Sequence, residues 1–471
     1  MQIISFLFFG FVALVFAILY ACNKLGASVK TSNRILLAAS YIFVIYADWR
    51  FAAVLALLSL AAYACAKKEK YTIGIAAALV SLAFFKYTNF FAESFANILG
   101  MNYTSLNIIL PLGISFYTFS AIGYIVDVKR GTVKAHNLEQ VALYLAFFPK
   151  ITSGPIQKSA DFFAQSNSVR KVGWSTFLPG IQIFMFGLFK KIVLADNLSV
   201  FVNQVYDTPL AFGSMTVFFA AVAYSFQIYF DFSGYSDMAI GIAKIIGINL
   251  PRNFNLPYLS HNVTELWKRW HITLSEWLWE YLYISLGGNR KGRLRTYFNL
   301  IATMVIGGIW HGAAWTYVFW GFLHGAALAV HKWWCDVTKS PSRTHCMLSN
   351  ILSIILTFIF TTFCWIFFRA ESLSKAFVII KRIFSFKSGL EQPYMWLFVS
   401  LIILTVSSIT VRLRSNVNIE LSKKKNVCTA DAYYPILDLS KFWNLVAFFV
   451  FCGLILCLAY TGGSPFIYGK Y

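Results

Sequence analysis

The sequence predicts an all-α, polytopic membrane protein, and three observations carry that prediction. First, 58% of the 471 residues are hydrophobic and only 13% are charged, against about 25% charged in soluble domains. So few charges cannot cover a water-facing surface, and most of the outer face must meet lipid. Second, apolar runs of about 20 residues, the length that crosses a hydrocarbon core, recur from end to end. Third, the basic residues behind the formal charge of +21 sit in short loops between those runs. Examples are Lys67-Lys68-Glu69-Lys70, Lys129-Arg130, Arg290-Lys291-Gly292-Arg293-Leu294-Arg295 and Lys423-Lys424-Lys425, the positive-inside pattern of cytoplasmic loops. Disorder, a secreted disulfide scaffold and a cytosolic enzyme are excluded. No basic stripe interleaves with an aromatic platform, so no nucleic acid is expected.

The elements follow in order. Spans are expected at 3–20, 71–94, 107–127, 174–195, 214–230, 297–310, 314–333, 349–368, 393–412 and 442–460. The first is read as a transmembrane helix, not a signal peptide, because Met1-Gln2 supplies no basic side chain. Segments 35–47 and 51–66 are shorter, and Asp48 and Arg50 between them mark a tight external turn. The stretches 138–152 and 233–248 are shorter or more polar and suggest re-entrant or interfacial segments, giving a range of 10–13 membrane segments in all. Two spans separate the loop of Lys24, Lys30 and Arg34 from Lys67–Lys70, and two more lead to Lys129-Arg130. Parity therefore puts all three on the cytoplasmic side. Eight cysteines without a CxxC read as buried thiols.

With no internal repeat or linker, residues 1–471 are expected to form a single integral domain whose polar region runs from about 226 to 333. Ionisable groups are costly at membrane depth and are functional by default, so chemistry is sought there. Phe230-Asp231-Phe232-Ser233-Gly234-Tyr235-Ser236-Asp237 sets polar groups between apolar flanks. The plain account is a helix break, with Ser233 capping a helix that starts near Tyr235; the sharper one is the polar wall of a cavity, with Asp231 and Asp237 orienting partners. Pro251, Pro257, Asn249, Asn253 and Asn255 forbid a continuous helix through 249–258. From Val263, the residues Trp267, Trp270, Leu274, Trp277 and Tyr281 recur at helical steps, as in an amphipathic interfacial helix with Lys268 and Arg269 on its other flank. His271 lies near its aromatic face.

His311, in Gly307-Gly308-Ile309-Trp310-His311-Gly312, lies between two apolar spans among small residues that would leave room for a substrate. Its side chain suits proton transfer near neutral pH; a hydrogen-bonded core histidine is the plain alternative. His324 and His331 read as ordinary interior or interfacial residues. The histidine spacings give no zinc motif, no metal is expected, and no phosphate loop or GxSxG elbow occurs.

These residues resemble the membrane-bound O-acyltransferases, in particular the bacterial branch related to the alginate O-acetylation membrane protein. The resemblance rests on Pro111-Leu112-Gly113-Ile114-Ser115-Phe116-Tyr117, Phe147-Phe148-Pro149-Lys150 with Gly154-Pro155-Ile156, and Phe230 to Asp237. It continues through Asn253-Phe254-Asn255, Trp267-Lys268-Arg269-Trp270-His271, Trp310-His311-Gly312, Trp365-Ile366-Phe367-Phe368-Arg369-Ala370 and Pro465-Phe466-Ile467-Tyr468. It implies a single acyltransferase domain, a ring of helices around a central tunnel, His311 as the essential histidine and His271 as a second conserved polar position. The ending Gly469-Lys470-Tyr471 departs from the branch's aromatic-polar-aromatic pattern, where a related D-alanylating branch engages partner proteins.

The function expected from this reading is transfer of an acyl group, acetyl first, from a cytoplasmic thioester across the bacterial inner membrane to an extracytoplasmic polysaccharide. Acetyl-CoA is the expected donor, with no permanently bound cofactor, and a periplasmic acetyl-transfer partner is expected. His311 and His271 are the catalytic candidates. Asp231, Ser233, Asp237, Asn253, Asn255, Trp267, Lys268, Arg269 and Trp310 are the substrate-binding ones. Lys268, Arg269, Arg290, Lys291 and Arg293 are placed either on the coenzyme's phosphates or at the membrane surface. The competing class is a transporter or flippase with an Asp/His proton relay, against which stands the lack of paired broken helices.

Overall fold

The computed structural model describes residues 4–338, 347–406, 434, 436–463 and 466–467. Among them the chain is helical, with one isolated bridge between Phe212 and Leu390. Six helices are long and apolar enough to cross a membrane: Phe6–Lys24, Trp49–Lys67, Tyr71–Ile98, Trp174–Asp207, Ser214–Ile245 and Met347–Arg369. Others, such as Val29–Ala47, Arg293–His311 and Trp315–Thr338, have sufficient length but carry Lys, Arg, His or Asn within it. The expected span 393–412 is helical over Met395–Val406, and residues 407–412, with Lys423–Lys425, Pro465, Tyr468 and Gly469–Tyr471, lie outside the described residues.

By internal contacts the chain forms two compact units, Met1–Phe184 with Met238–Pro251, and Met185–Asp237 with Arg252–Tyr471. In the first, α1 (Phe6–Lys24), α2 (Val29–Ala47) and α3 (Trp49–Lys67) follow one another through short turns. The turn expected at residue 48 is present. Asp48 is extended, caps α3 through the Arg50 amide and pairs with the Arg50 guanidinium. The helix expected at 107–127 instead runs Ile114–Lys129. Pro111 and the left-handed Gly113 delay its start, because a side chain at Gly113 would collide with the Ile151 carbonyl.

In the second unit two expectations fail. No break occurs at 231–235, because Ser214–Ile245 is one 32-residue helix. It holds no proline, its carboxylates find partners other than its own amides, and Gly234 permits backbone approach that a Cβ, 2.7 Å from the Gly187 carbonyl, would block. The amphipathic helix expected from Val263 onward is broken instead: Val263–Arg269 ends at Trp270, His271 is left-handed (φ 42°), and helix resumes at Ile272. Arg293–His311 packs tightly on Trp315–Thr338, where Gly308 lies against the Tyr317 backbone and Gly321 against Met304.

Candidate active site

The second unit holds two buried polar centres. The first is a histidine pair in an aromatic box. His311 ends the helix Arg293–His311, buried, and its ring lies 6.5 Å from that of His271, centroid to centroid. Trp310, Trp320 and Phe368 surround His311 at 5.0, 5.1 and 5.3 Å. Phe232 meets His271 edge-on at 4.6 Å, and Trp310 lies 6.1 Å from it. Trp365 stacks on Trp320 and lies against Trp270. Segments that are remote in sequence thus each deliver a ring to one place.

The backbone at His271 is held there against its preference. A left-handed non-glycine residue costs of order 1–3 kcal/mol. Asn253 supplies the restraint, since its carbonyl accepts from the Ile272 amide, its side-chain oxygen accepts from the Thr273 hydroxyl at 2.6 Å, and its amide donates to Ser236. The Asn255 amide donates to the Arg269 carbonyl. Asn253 and Asn255 therefore build a clamp that fixes the backbone carrying the buried imidazole. Both ring nitrogens of His271 are buried and lack a hydrogen-bond partner among the described residues, an arrangement that is expensive unless a ligand completes it.

The second centre is an ion lattice. Lys191 bridges Asp231 and Asp196, each at 2.7 Å, and Lys190 pairs with Asp237 at 2.6 Å. The second oxygens are used as well: Ile467 donates its amide to Asp231, and the Tyr434 hydroxyl donates to Asp237. Phe466 packs on Tyr235. Tyr434, Phe466 and Ile467 are thereby held against the middle of Ser214–Ile245.

Not every expected residue joins the histidines. His271, His311 and Trp310 meet directly. Trp267 joins through Trp320, 5.7 Å away, and its indole donates to His324 at 3.4 Å. Asn253 and Asn255 act on the backbone around His271. Asp231 and Asp237 belong to the lattice, with Ser233 between them buried and its hydroxyl without a partner among the described residues. Lys268 is exposed, Arg269 pairs with Glu265, and Arg290, Lys291 and Arg293 are exposed. The room expected beside Gly312 is taken by the Tyr317 ring, so that glycine serves helix packing. Sequence reasoning passed over Lys190, Lys191, Asp196, Trp320 and Tyr434. Two lysines in the middle of an apolar helix were a visible signal of an intramembrane ion pair.

Residues 60–370, which include both histidines and every substrate-binding candidate expected from the sequence, match the profile of the membrane-bound O-acyltransferase family. The chain belongs to that family. It is similar to a peptidoglycan O-acetyltransferase of Helicobacter pylori, 39% identical over 336 residues that cover 66% of this chain and 63% of that protein. It is also similar to a probable alginate O-acetylase of Pseudomonas aeruginosa, 40% identical over 375 residues, 75% of this chain and 70% of that one. A teichoic acid D-alanyltransferase of Streptococcus thermophilus is 30% identical over 245 residues, 49% of this chain and 59% of the relative. The match thus spans just under two thirds of the Helicobacter protein's length.

Proposed function

We propose that this protein moves an acetyl group from a cytoplasmic thioester, acetyl-CoA, to the hydroxyl of an extracytoplasmic polysaccharide at the bacterial inner membrane. The observation that carries the proposal is the 6.5 Å pairing of His271 and His311 in a buried aromatic box within the family-matched segment. Family membership favours transfer over transport. His311 takes the proton of the acceptor hydroxyl as its oxygen attacks the thioester carbonyl; the thiolate leaves and is protonated as coenzyme A. His271, whose ring nitrogens await a partner, donates to the carbonyl oxygen as charge develops there. Aromatic walls exclude water, which protects the thioester from hydrolysis and strengthens both hydrogen bonds. Asn253 and Asn255 position His271.

Transfer to the polymer is direct or through a periplasmic acetyl-transfer partner, whose own hydroxyl would then take the polymer's place in the same step. The relatives' names point to peptidoglycan or alginate as acceptors, and the polymer is one of that hydroxyl-rich class. The test is purified protein in liposomes with labelled acetyl-CoA and no ion gradient. Label should pass to a polysaccharide fragment or to water in wild type and not in His311→Ala. Transfer that depends on an ion gradient, or persists in His311→Ala, would overturn the assignment.

A further inference from the structure

The first unit carries a site unrelated to the histidines. At one end of it, the turn after α1, the start of α2, the 137–140 turn and the 166–172 loop are tied together. Asn23 donates to the Val172 carbonyl, Asn33 donates to the Ser166 carbonyl, and Gln140 donates to Asn167. Between them opens a cavity of about 280 Å³ lined by Lys30, Asn33, Arg34, Asn137, Gln140 and Asn167, among others. A smaller one of about 20 Å³, lined by Arg170 and Asn23, shares Val29 with it. In segments 23–34, 137–140 and 166–172, five cations (Lys24, Lys30, Arg34, Arg170 and Lys171) face one carboxylate, Glu139.

Two of these cations have capacity to spare. Glu139 engages Nε and Nη2 of Arg34 and leaves Nη1. Arg170 is 91% buried (9% exposed) and gives Nη2 to Asn33, while its Nη1 is buried without a partner among the described residues. A guanidinium so placed lacks the acceptor that its charge demands, and its uncompensated positive charge lies directly behind Asn33 in the wall of the larger cavity. The surroundings say which anion would meet that charge. Leu25, Val169 and Trp174 are exposed beside the polar mouth, and Lys24 lies over the Tyr20 ring. Exposed apolar surface, aromatic anchors and terminal cations together mark the membrane–water interface.

We propose that this pocket binds the phosphate of an anionic phospholipid headgroup, with Lys30 and Arg34 as its cationic ligands, Arg170 holding Asn33 in its wall, and the acyl chains lying along the apolar surface of α1. The shared chemistry is a phosphate ester, and free phosphate is the other source. The experiment uses the full-length protein in neutral detergent, with phosphatidylglycerol or phosphatidylcholine added to mixed micelles and bound lipid counted by native mass spectrometry. Phosphatidylglycerol should bind preferentially. Lys30→Gln and Arg34→Gln should each weaken it about five-fold, the worth of one juxtamembrane cation, and Arg170→Gln, which acts through Asn33, by less, whereas Lys68→Gln, outside the pocket, should leave it unchanged. If Arg170→Gln fails to fold, the two exposed positions carry the test. Excess inorganic phosphate should not displace the lipid; full displacement would reassign the site to free phosphate and overturn the lipid part. Equal binding of the two lipids, or an equal loss in Lys68→Gln, would overturn the proposal.

Discussion

The two buried polar centres of the second unit differ in how far they are satisfied. In the lattice, Asp231 and Asp237 spend both oxygens on partners within the chain, and Lys191 holds two carboxylates. In the aromatic box, His271 has two ring nitrogens with no protein partner among the described residues, held by a left-handed backbone. The first centre is closed and the second awaits something. Buried charge that is fully paired holds a fold together and costs heavily when one member is lost. A buried group with unused hydrogen-bonding capacity is tolerated where it meets a ligand. The contrast predicts that loss of a member of the first centre disturbs the fold, whereas loss of a histidine in the second spares it.

The largest effect that would break this comparison concerns His311. His311→Ala should lower transfer by about 10²–10⁴, the usual worth of a general base, with protein abundance in the membrane near wild type. Polymer-bound acetate in a complemented deletion strain reads the first and immunoblotting the second. Unchanged acetylation would make the box a structural feature.

Next comes the lattice. Lys191→Met should destabilise the protein by about 3–5 kcal/mol, because it leaves two buried carboxylates facing one another. Adding Asp231→Asn should recover part of that loss. Thermal denaturation in detergent measures both. A stable but inactive Lys191→Met would move the lattice into the chemistry.

His271→Ala should be milder than His311→Ala, since water can replace a positioning donor more readily than a base. The double variant should scarcely exceed His311→Ala alone, because residues acting as a unit are strongly non-additive. Multiplicative losses in kcat would place the two histidines in separate steps. The smallest effect belongs to the surface. Lys268→Gln with Arg290→Gln should change KM for acetyl-CoA by less than about ten-fold and leave kcat alone, as exposed charges steer more than they bind; a loss of kcat would draw these side chains into the site.

How much of this was legible beforehand depended on the kind of signal. The spans at 71–94 and 349–368 were readable because lipid demands apolar length, and the Asp48 turn because a carboxylate and an arginine two residues on form a cap. His271 and His311 stood out as ionisable groups in apolar surroundings. The unbroken helix through Asp231 was not legible. A carboxylate beside serine and glycine looks like a cap unless the lysine that neutralises it, forty residues earlier at Lys191, is known to lie alongside. The left-handed turn at His271 was hidden for a similar reason, since helical spacing continues across it and the restraint comes from Asn253. Local pattern reports propensity, and these two departures were imposed by tertiary partners.

Lys190 and Lys191 sit in a π-helical stretch, Phe189–Ala195, within an otherwise α-helical span. Such a stretch is equivalent to one residue inserted into an α-helix, so the lattice depends on reading frame as much as on side chains. Removing a single residue from 189–195 would restore regular winding and leave the two flanks nearly in register, while the side chains inside the stretch changed face. The lysines could then no longer both face their carboxylates. A length change of one amino acid, with every ionisable group retained, is therefore the lesion this span should tolerate least, whereas exchanges among its apolar residues should pass with little consequence.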